Sequence, residues 1–396
     1  MISVDEALQR ILAAFSPLES ERVPIGSAYD RVLAEKAFAR LNQPPFSVSS
    51  MDGYAVRAAD VAQPPVRLKV TGTAPAGHPF HGGVQAGEAV RIFTGAVVPD
   101  GADAIVIQED TEPGQEVVTI KAGSREGRHI RGAGIDFRRG ECLAPSGKRL
   151  NARDLALLAA GDLAEICVRR RPRLVIAATG DELSRPGEPR RPGGIVASSV
   201  YALSALIEKW GGEPRDLGIL RDRVDSIASI AKHSENADLV VTLGGVSVGD
   251  HDLVQRALGP EGFVLDFWKI AMRPGKPLIF GRLGKTPLLG LPGNPVSSYV
   301  CALLFLKPAI AAMLGRSTEQ PTIPARLATD LPANDTRQDY LRAQTFREGD
   351  ELWAKPFPVQ DSSMQKVLAE CDGFVIRAPQ APAIKRGARV QLLAPE

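Results

Sequence analysis

Residues 237–252 read ADLVVTLGGVSVGDHD, an apolar run followed by a glycine-rich, acidic segment. The apolar run up to Leu243 has the composition of a β-strand buried on both faces, which is typical of a parallel sheet. The strand ends on two adjacent glycines, and Asp250 and Asp252 follow within the same loop. Ligands of α/β proteins bind beyond the carboxyl ends of parallel strands, so open backbone and acids at this point predict a binding site.

The order of strand, loop and helix repeats from residue 173 to residue 314. LVIAAT (174–179) runs into the loop GDEL (180–183), and PLLGL (287–291) leads into a long helix. Between them lies an amphipathic helix, SSVYALSALIEKWGG (198–212), which ends in glycines. Its predicted core face consists of Val200, Leu203, Leu206, Ile207 and Trp210. This alternation predicts a central three-layer α/β domain with a largely parallel sheet.

The flanking segments follow other patterns. SVDE (3–6) is a capping-box sequence ahead of a predicted helix, and a second helix is predicted at 151–160. From about 50 to 140 the chain has short β-like runs between glycines and prolines, and the tail from about 319 again has short β-like runs. The tail is therefore predicted to form a small barrel or sandwich. RRRPR (169–173) is interpreted as a solvated linker.

The length, net charge and cysteine content of the chain limit the class of protein. A chain of 396 residues is too long for one ordinary core, so roughly two to four domains are expected. A net charge of +2 gives no support for a nucleic-acid partner, and four widely spaced cysteines suit a reducing compartment. The start lacks a signal-peptide pattern, and the most apolar helix candidate is interrupted by Lys307 and Pro308. We expect a cytoplasmic protein without a membrane span.

Three strands of the predicted sheet are followed by residues that could bind a ligand or a metal ion. Glu182 follows one strand, Asp250 and Asp252 follow another, and Asn294 and Pro295 are predicted as N-cap and first residue of the helix after the third. Glycine backbone and helix N-termini favour phosphate groups. Neighbouring carboxylates would repel one another unless a hard cation such as Mg²⁺ lay between them. The pattern predicts a site for an anionic, phosphate-bearing ligand with a divalent metal.

Each of these residues also has a plainer role. Glycines after a strand are usually turn residues, and Asp181 and Glu182 are equally suited to capping a following helix. The stretch 268–281 adds three cations that could form a solvated edge: Lys269, Arg273 and Lys276. His78 and His81 lack a third zinc ligand at a sensible spacing. No complete ATP-binding or NAD-binding motif is present.

Ordered blocks along nearly the whole chain resemble the MoeA family of molybdopterin molybdenumtransferases, which includes the E domains of gephyrin and of plant molybdenum insertases. The blocks are SSMDGYAVR (49–57), RIFTGAVVPDGADAIVIQE (91–109), IRGAGIDFRRGE (130–141), ATGDEL (178–183), LGGVSVGDHD (243–252), FWKIAMRPGKPLIFG (267–281), GLPGNPVSS (290–298), DYLRA (339–343) and QDSSM (360–364).

The resemblance implies four domains and a homodimer. They are an elongated dimerisation domain (1–45 and 141–172), an inserted β-rich domain (46–140), a molybdopterin-binding α/β domain (173–318) and a C-terminal β-barrel (319–396). The implied reaction joins molybdate to the dithiolene of adenylylated molybdopterin and releases AMP in a Mg²⁺-dependent step. In the implied dimer the site is shared, and an adenylyltransferase or a molybdoenzyme maturation protein is a further expected partner.

The resemblance also implies roles for individual residues. The implied catalytic residues are Asp52, Thr94, Arg131, Asp136, Glu182, Asp222 and Asp252. The implied molybdopterin-binding residues are Gly244, Gly245, Ser247, Gly249, Lys269, Pro292, Asn294 and Pro295. Molybdate is implied to bind Arg273, Lys276, Arg342 and Ser362, since a small dianion needs several cations and a hydroxyl donor. The implied Mg²⁺ ligands are Glu182, Asp250 and Asp252.

The chain departs from the family pattern at three positions. Arg273 stands where the family commonly has lysine. The compact ammonium group of lysine is thereby replaced by a planar guanidinium, which can donate two parallel hydrogen bonds. Ala197 and Ser199 stand where the family often has an acid and an asparagine.

Two alternatives remain open beside the enzyme. One is a non-catalytic carrier or scaffold that binds the pterin, motivated by the changes at 197 and 199. The other is a Mg²⁺-dependent pyrophosphatase or nucleotide hydrolase. Tungstate in place of molybdate is also left open, because the two anions are nearly equal in size and charge.

Overall fold

A computed structural model describes residues 1–245 and 251–396, with only the backbone given for His251, Asp252 and Gln255. Contacts divide the chain into two compact units, Arg22–Val168 on the one hand and Met1–Glu21 with Arg169–Glu396 on the other. The four-domain division expected from the sequence is finer and stays a prediction. The chain begins with α1 (Val4–Leu12) and β1 (Ser20–Pro24).

The unit Arg22–Val168 is built mainly of strands. Its elements, the last of which ends one residue past the unit, are β2 (Ala37–Phe38), β3 (Val48–Ser49), β4 (Gly53–Val56), β5 (Val66–Ala74), β6 (Glu88–Ile92), β7 (Ala104–Ile107), β8 (Thr111–Pro113), β9 (Val117–Ile120), β10 (Ile130–Arg131), β11 (Cys142–Ala144), α2 (Ala152–Ala160) and β12 (Glu165–Arg169). Six strands form one mixed sheet in the order β7-β4-β6-β5-β9-β8. Along β4, Tyr54 and Val56 join one apolar cluster and Ala55 joins another, so both faces of this sheet are covered.

Helix α2 begins where the sequence predicts it. Asn151 is the N-cap, and its side-chain oxygen accepts from the backbone N–H of Asp154 at 3.2 Å. The Asp154 carboxylate accepts in return from the N–H of Asn151 at 3.0 Å, which completes a capping box. Leu158 on the buried side of this helix packs with Leu33 and Leu150.

A six-stranded sheet forms the centre of the other unit. The elements from 173 to 313 are β13 (Arg173–Thr179), β14 (Leu183–Ser184), β15 (Ile195–Val196), α3 (Ser199–Trp210), β16 (Glu213–Leu220), α4 (Val224–Ala228), α5 (Ala231–Ser234), β17 (Leu239–Leu243), α6 (His251–Leu258), β18 (Phe263–Trp268), β19 (Met272–Arg273), β20 (Ile279–Leu283), β21 (Thr286–Leu291), α7 (Pro295–Cys301) and α8 (Lys307–Met313). The order is β16-β13-β17-β21-β20-β18. The first four strands run parallel to one another, and β20 runs antiparallel to both of its neighbours, β21 and β18. The predicted three-layer, largely parallel fold is confirmed.

The helix predicted at 198–212 packs on the sheet by the face that its sequence indicates. All five predicted core residues of α3 are buried. The helix ends at Gly211, whose φ of 96° lies in the left-handed region, and this conformation favours glycine at a C-terminus.

The predicted interruption at Lys307 and Pro308 is wrong, because the helix is continuous over Pro295–Met313. A π-helical turn, Ala302–Leu306, widens the helix just before the proline, and the N–H of Lys307 bonds to the carbonyl of Ala302. Pro308 donates no N–H, but the carbonyl of Leu303 accepts from Nε2 of Gln320 instead. The helix is long and apolar enough to cross a membrane, yet 83% of its most apolar window is buried in the protein.

The tail forms the predicted barrel. Its elements are β22 (Thr322–Leu327), β23 (Gln338–Glu348), β24 (Glu351–Pro356), α9 (Gln365–Ala369), β25 (Gly373–Arg377) and β26 (Arg389–Leu393). The strands run in the order β23-β24-β22-β26-β25, and pairing of β25 with β23 closes the barrel. The short β19 adds to β23 from outside. Leu327, Ala343, Ala354 and Val375 fill the interior.

The capping box predicted at 3–6 is only half formed. Ser3 Oγ accepts from the N–H of Glu6 at 3.1 Å, as predicted. The Glu6 carboxylate, however, pairs with Arg10 one turn later at 2.6 Å, because an i,i+4 ion pair competes for it.

The arginine run at 169–173 is not the solvated linker expected from its charge. Arg170 donates to both oxygens of Asp238, at 2.7 and 2.8 Å, and to Glu19 at 2.8 Å. These bonds raise the pKa of Arg170, with Asp238 as the first cause. Asp238 also accepts from the N–H of Arg173 at 2.7 Å, at the start of β13. The run therefore anchors the entrance to the central sheet.

We expect Asp238→Ala to lower the free energy of unfolding by about 2–4 kcal/mol, because it leaves a half-buried guanidinium and an N–H without their acceptor. Urea unfolding followed by circular dichroism measures the change. Asp225→Ala is the matched control, since Asp225 pairs with Arg223 at 3.2 Å where both side chains are exposed, and about 0–1 kcal/mol is expected. Equal losses in the two variants would contradict the anchoring role.

Candidate functional site

The carboxyl ends of three parallel strands lie together at one edge of the central sheet. In the register, Ala178 of β13 pairs with Leu243 of β17, and Leu243 pairs with Leu291 of β21. A cavity of about 640 Å³ opens at this edge. Its size is that of a site for a small organic ligand.

The glycine pair after β17 forms one wall of the cavity. Gly244 and Gly245 have φ values of 88° and 67°. A Cβ on Gly244 would lie 2.7 Å from the carbonyl oxygen of Thr179, and one on Gly245 would lie 2.8 Å from Thr179 Oγ1. Both the backbone conformation and the space therefore exclude a side chain, and bare backbone lines the cavity.

Acidic side chains also line the cavity. Glu182 and Asp222 both border the cavity. The Glu182 carboxylate packs over Gly180, where a Cβ would lie 2.6 Å from Oε2. Asp181 and Asp222 accept from each other's backbone N–H at 3.3 and 3.4 Å, which ties their two loops together. Asp181 and Glu182 precede β14 and not a helix, so they do not cap one.

The N-terminus of α7 forms the third side. Asn294 is the N-cap and Pro295 the first helical residue, as predicted, and both line the cavity with Pro292. The Asn294 side chain does not cap the helix but donates to Ser362 Oγ at 3.0 Å. The N–H of Val296 instead bonds to the carbonyl of Ser362 at 3.1 Å. The segment around Ser362 thus takes over the capping role.

Arg342 lies behind that segment and is only 1% exposed. Its guanidinium donates to Gln360 Oε1 at 3.3 Å and to the carbonyl of Met364 at 3.4 Å. Its Nη2 is buried and makes no hydrogen bond to any described residue. Burial lowers the pKa of Arg342. A buried guanidinium with a spare donor is suited to an anion.

None of the predicted cations lines this cavity, Arg342 included. Arg273 donates to Asp339 at 2.9 Å and lies 3.5 Å from Asp335. Asp339 is the first cause of the raised pKa of Arg273. Lys269 lies with Nζ 3.4 Å from the centre of the Trp268 ring, and Lys276 is exposed. Their predicted ligand roles stay predictions.

Four predicted catalytic residues belong to the unit Arg22–Val168. Asp52 Oδ1 accepts from the N–H and the hydroxyl of Thr94, at 2.7 and 2.8 Å. Arg131 lies in β10, and the N–H of Asp136 bonds to the carbonyl of Gln43 at 3.0 Å. The side chains of Thr94, Arg131 and Asp136 are exposed.

Thr94 holds the pKa of Asp52 below its ordinary value, first through its N–H and second through its hydroxyl. A lowered folded-state pKa stabilises the fold above the unfolded pKa, and that stabilisation is lost as the pH falls through the folded value. We expect Thr94→Val to raise the pKa of Asp52 only part of the way back, because the N–H remains. Carboxyl ¹³C NMR titration measures it. Thr71→Val serves as the control, and an unchanged Asp52 pKa in Thr94→Val would contradict the assignment.

Some predicted site residues fall outside what the structure describes. Ser247, Gly249 and Asp250 lie between residues 245 and 251, and the side chain of Asp252 is likewise not described. Their predicted roles in molybdopterin and metal binding are untested by the geometry.

Sequence reasoning missed residues that the fold brings to the cavity. Thr179 packs against the glycine pair, and Ser198 and Gln365 meet across the cavity wall through an Nε2–Oγ hydrogen bond. Ala197 and Ser199, which the sequence had already marked as departures from the family pattern, also line the cavity. Neither Ser198 nor Gln365 carries a local signal, because 167 positions separate them.

Three family models match the chain in order. They are the MoeA N-terminal region, domains I and II, over residues 2–161, a probable molybdopterin binding domain over 175–312, and the MoeA C-terminal region, domain IV, over 324–394. A curated protein of Haemophilus influenzae, named molybdopterin molybdenumtransferase, is 33% identical over 99% of this chain and 98% of its own. One of the same name from Nostoc is 38% identical over 82% of this chain and 77% of its own. A solved molybdopterin biosynthesis MoeA protein from Pyrococcus horikoshii has a TM-score of 0.88 at 31% identity and covers 100% of this chain and 99% of its own.

Proposed function

Because this chain belongs to the MoeA family, we propose that it is a molybdopterin molybdenumtransferase, which inserts molybdate into adenylylated molybdopterin and releases AMP. The observation that carries the proposal is the cavity at the carboxyl edge of the parallel sheet. It combines bare glycine backbone at 244 and 245, a helix N-terminus at Pro295 and carboxylates at Glu182 and Asp222. This combination suits a phosphate-bearing heterocycle, because glycines let the ligand approach the backbone closely, the dipole of a helix N-terminus favours an anion, and carboxylates bind the counter-ion of a phosphate.

Molybdate is proposed to bind beside the N-terminus of α7. The spare buried donor of Arg342 and the hydroxyl of Ser362 support this, since together they offer a cation and a hydroxyl donor. Arg273 and Lys276 are proposed to complete the anion site. Arg273 donates to both carboxylate oxygens of Asp339, so a bound anion would compete with Asp339 for its guanidinium.

The described part of the cavity fits a hard divalent cation. Glu182 presents a carboxylate that accepts no hydrogen bond from any described residue, and Asp222 lies on the same wall. Described residues alone supply no cluster of three metal-binding side chains, so Asp250 and Asp252 are proposed as the remaining ligands. Bound Mg²⁺ would act as a Lewis acid that relieves the charge on the pyrophosphate. Glu182 and Asp222 would hold the cation, while the glycine loop and Asn294 would position the phosphate and the pterin.

The enzyme is proposed to act as a homodimer in which Asp52, Thr94, Arg131 and Asp136 of one subunit complete the site of the other. Exposed apolar side chains in the unit that carries them support this, since Ile135 is 68% exposed. An adenylyltransferase or a molybdoenzyme maturation protein is a proposed further partner.

The proposed location is the cytoplasm. All four cysteines are free, which suits a reducing compartment: Cys142, Cys167, Cys301 and Cys371.

The test is AMP release from adenylylated molybdopterin by the purified protein, with and without molybdate and Mg²⁺. We expect release that requires both ions, accompanied by metal-loaded pterin in equal amount. Tight pterin binding without AMP would identify a carrier or scaffold, and release without molybdate would identify a hydrolase. Replacing molybdate with tungstate in the same assay determines the preferred anion.

A further inference from the structure

The side-chain amide of Gln360 makes four hydrogen bonds, and three of them go to a single residue. Its Oε1 accepts from the backbone N–H of Arg342 at 3.0 Å and from Nε of the same arginine at 3.3 Å. Its Nε2 donates to the carbonyl of Arg342 at 3.0 Å and to the carbonyl of Phe357 at 2.9 Å. Both lone pairs and both N–H groups of the amide are therefore occupied.

These bonds hold the main chain and the guanidinium of Arg342 in one arrangement. Arg342 belongs to β23, whose Leu341 and Ala343 pack in the interior of the barrel, so the Arg342 side chain leaves from the outer surface. There Nη1 donates to the carbonyl of Met364, and Nη2 has no partner among the described residues. A side chain that is already fixed loses little further freedom when an anion binds to it.

The contacts orient the cation without cancelling its charge. The hydrogen-bond acceptors of the guanidinium are the amide oxygen of Gln360 and the carbonyl of Met364, and both are neutral. The neighbouring acid, Asp361, is engaged with Ser363, whose N–H and hydroxyl donate to it at 2.8 and 2.6 Å. A glutamate at 360 would instead pair with the guanidinium. The neutral amide leaves the positive charge of Arg342 available to an anion.

The same segment of chain carries the hydroxyl that is proposed to bind molybdate. Ser362 follows Gln360 by two residues, and its Oγ and carbonyl accept from Asn294 and from the N–H of Val296 at the start of α7. Gln360 thus ties the segment to β23, while Ser362 ties it to α7. The distance between the Arg342 guanidinium and the Ser362 hydroxyl is therefore set through Gln360. A small dianion contacts both groups only when that distance is correct.

We propose that Gln360 is a positioning residue that sets the affinity of the protein for molybdate, because it fixes Arg342 relative to Ser362 and leaves the arginine charge uncompensated. The inference deepens the proposed function and rests on it. Gln360 is not expected to touch the anion, since every donor and acceptor of its amide is occupied. Its effect should appear in the binding of molybdate and not in the binding of adenylylated molybdopterin.

Two substitutions separate the orienting bonds from the charge. Gln360→Met keeps the length of the side chain but lacks the amide, and Gln360→Glu keeps the acceptor oxygens but adds a negative charge. Gln344→Met is the matched control, because Gln344 is exposed on the same strand. Circular dichroism and thermal unfolding check that the variants fold. If Gln360→Met does not fold, Gln360→Glu still tests the proposal, since it keeps an acceptor for the N–H and Nε of Arg342.

Steady-state rates of AMP release over a range of molybdate concentrations measure the effect. We expect the KM for molybdate to rise about tenfold or more in Gln360→Met and further in Gln360→Glu, with Gln344→Met equal to the wild type. The KM for adenylylated molybdopterin should stay unchanged. A purely structural role would lower the active fraction, and with it kcat, at an unchanged KM for molybdate. That result, or wild-type molybdate affinity in Gln360→Glu, would overturn the proposal.

Equilibrium dialysis with molybdate alone distinguishes this proposal from the transferase. A wild-type protein whose molybdate affinity depends on Gln360, but which releases no AMP, would refute the transferase and leave the positioning role standing. Molybdate-dependent AMP release with the same KM for molybdate in the wild type and both Gln360 variants would refute only the positioning role. Absence of both molybdate binding and AMP release would refute the two together.

Discussion

Glu182→Gln is expected to lower the rate of molybdate-dependent AMP release by on the order of a hundredfold or more, because an amide cannot supply the negative charge that holds a divalent cation. The substitution keeps the shape of the side chain. The wild-type carboxylate is exposed, packs only over Gly180, and accepts no hydrogen bond from described residues. The loss should therefore appear in turnover and not in folding.

Steady-state kinetics with adenylylated molybdopterin over a range of Mg²⁺ concentrations tests this expectation. If Glu182 acts through the cation, the Mg²⁺ requirement should rise along with the fall in kcat. Glu188→Gln is the control, because Glu188 is an exposed acid of the neighbouring turn that accepts from the N–H of Arg185 at 2.8 Å and does not line the cavity. Wild-type turnover in Glu182→Gln would show that the Glu182 carboxylate is not required for the reaction.

Gly244→Ala is expected to lower the free energy of unfolding by about 2–5 kcal/mol, because two costs combine. The φ of 88° belongs to the left-handed region, which costs an L-residue about 1–2 kcal/mol. The new Cβ would also lie 2.7 Å from the carbonyl oxygen of Thr179, and overpacking of this kind costs about 1–3 kcal/mol. Relief requires the ends of β13 and β17 to move apart, so ligand binding should weaken too.

Gly187→Ala separates the two costs. Gly187 has a φ of 83°, close to that of Gly244, but a Cβ there meets nothing within 4 Å. Urea unfolding should show only the conformational cost in Gly187→Ala and an additional loss in Gly244→Ala. Equal destabilisation would mean that the close approach to Thr179 has no energetic effect.

Local signals in the sequence were sufficient wherever the cause is local. The alternation of strand and helix, the helix over 151–160, the glycines that end α3, and the positions of Asn294 and Pro295 at the start of α7 were predicted and are confirmed. Each depends on backbone geometry within a few residues, which a short stretch of sequence encodes directly.

Predictions failed where a distant side chain changed the local outcome. Pro308 does not break its helix, because a π-helical turn and Gln320 accommodate the missing N–H. The arginine run at 169–173 is held by Asp238 and Glu19, which the charge pattern alone could not indicate.

The order of the elements, the glycine pair at the end of β17 and membership of the family follow from residue types at close spacing, so the amino-acid sequence was enough to predict them. Which side chains share the cavity depends on how distant segments pack. Arg273 faces Asp339, 66 positions away, and Gln365 meets Ser198, 167 positions away. Such pairs form when the barrel and the sheet pack against each other, and their free energies depend on distances that no local pattern records.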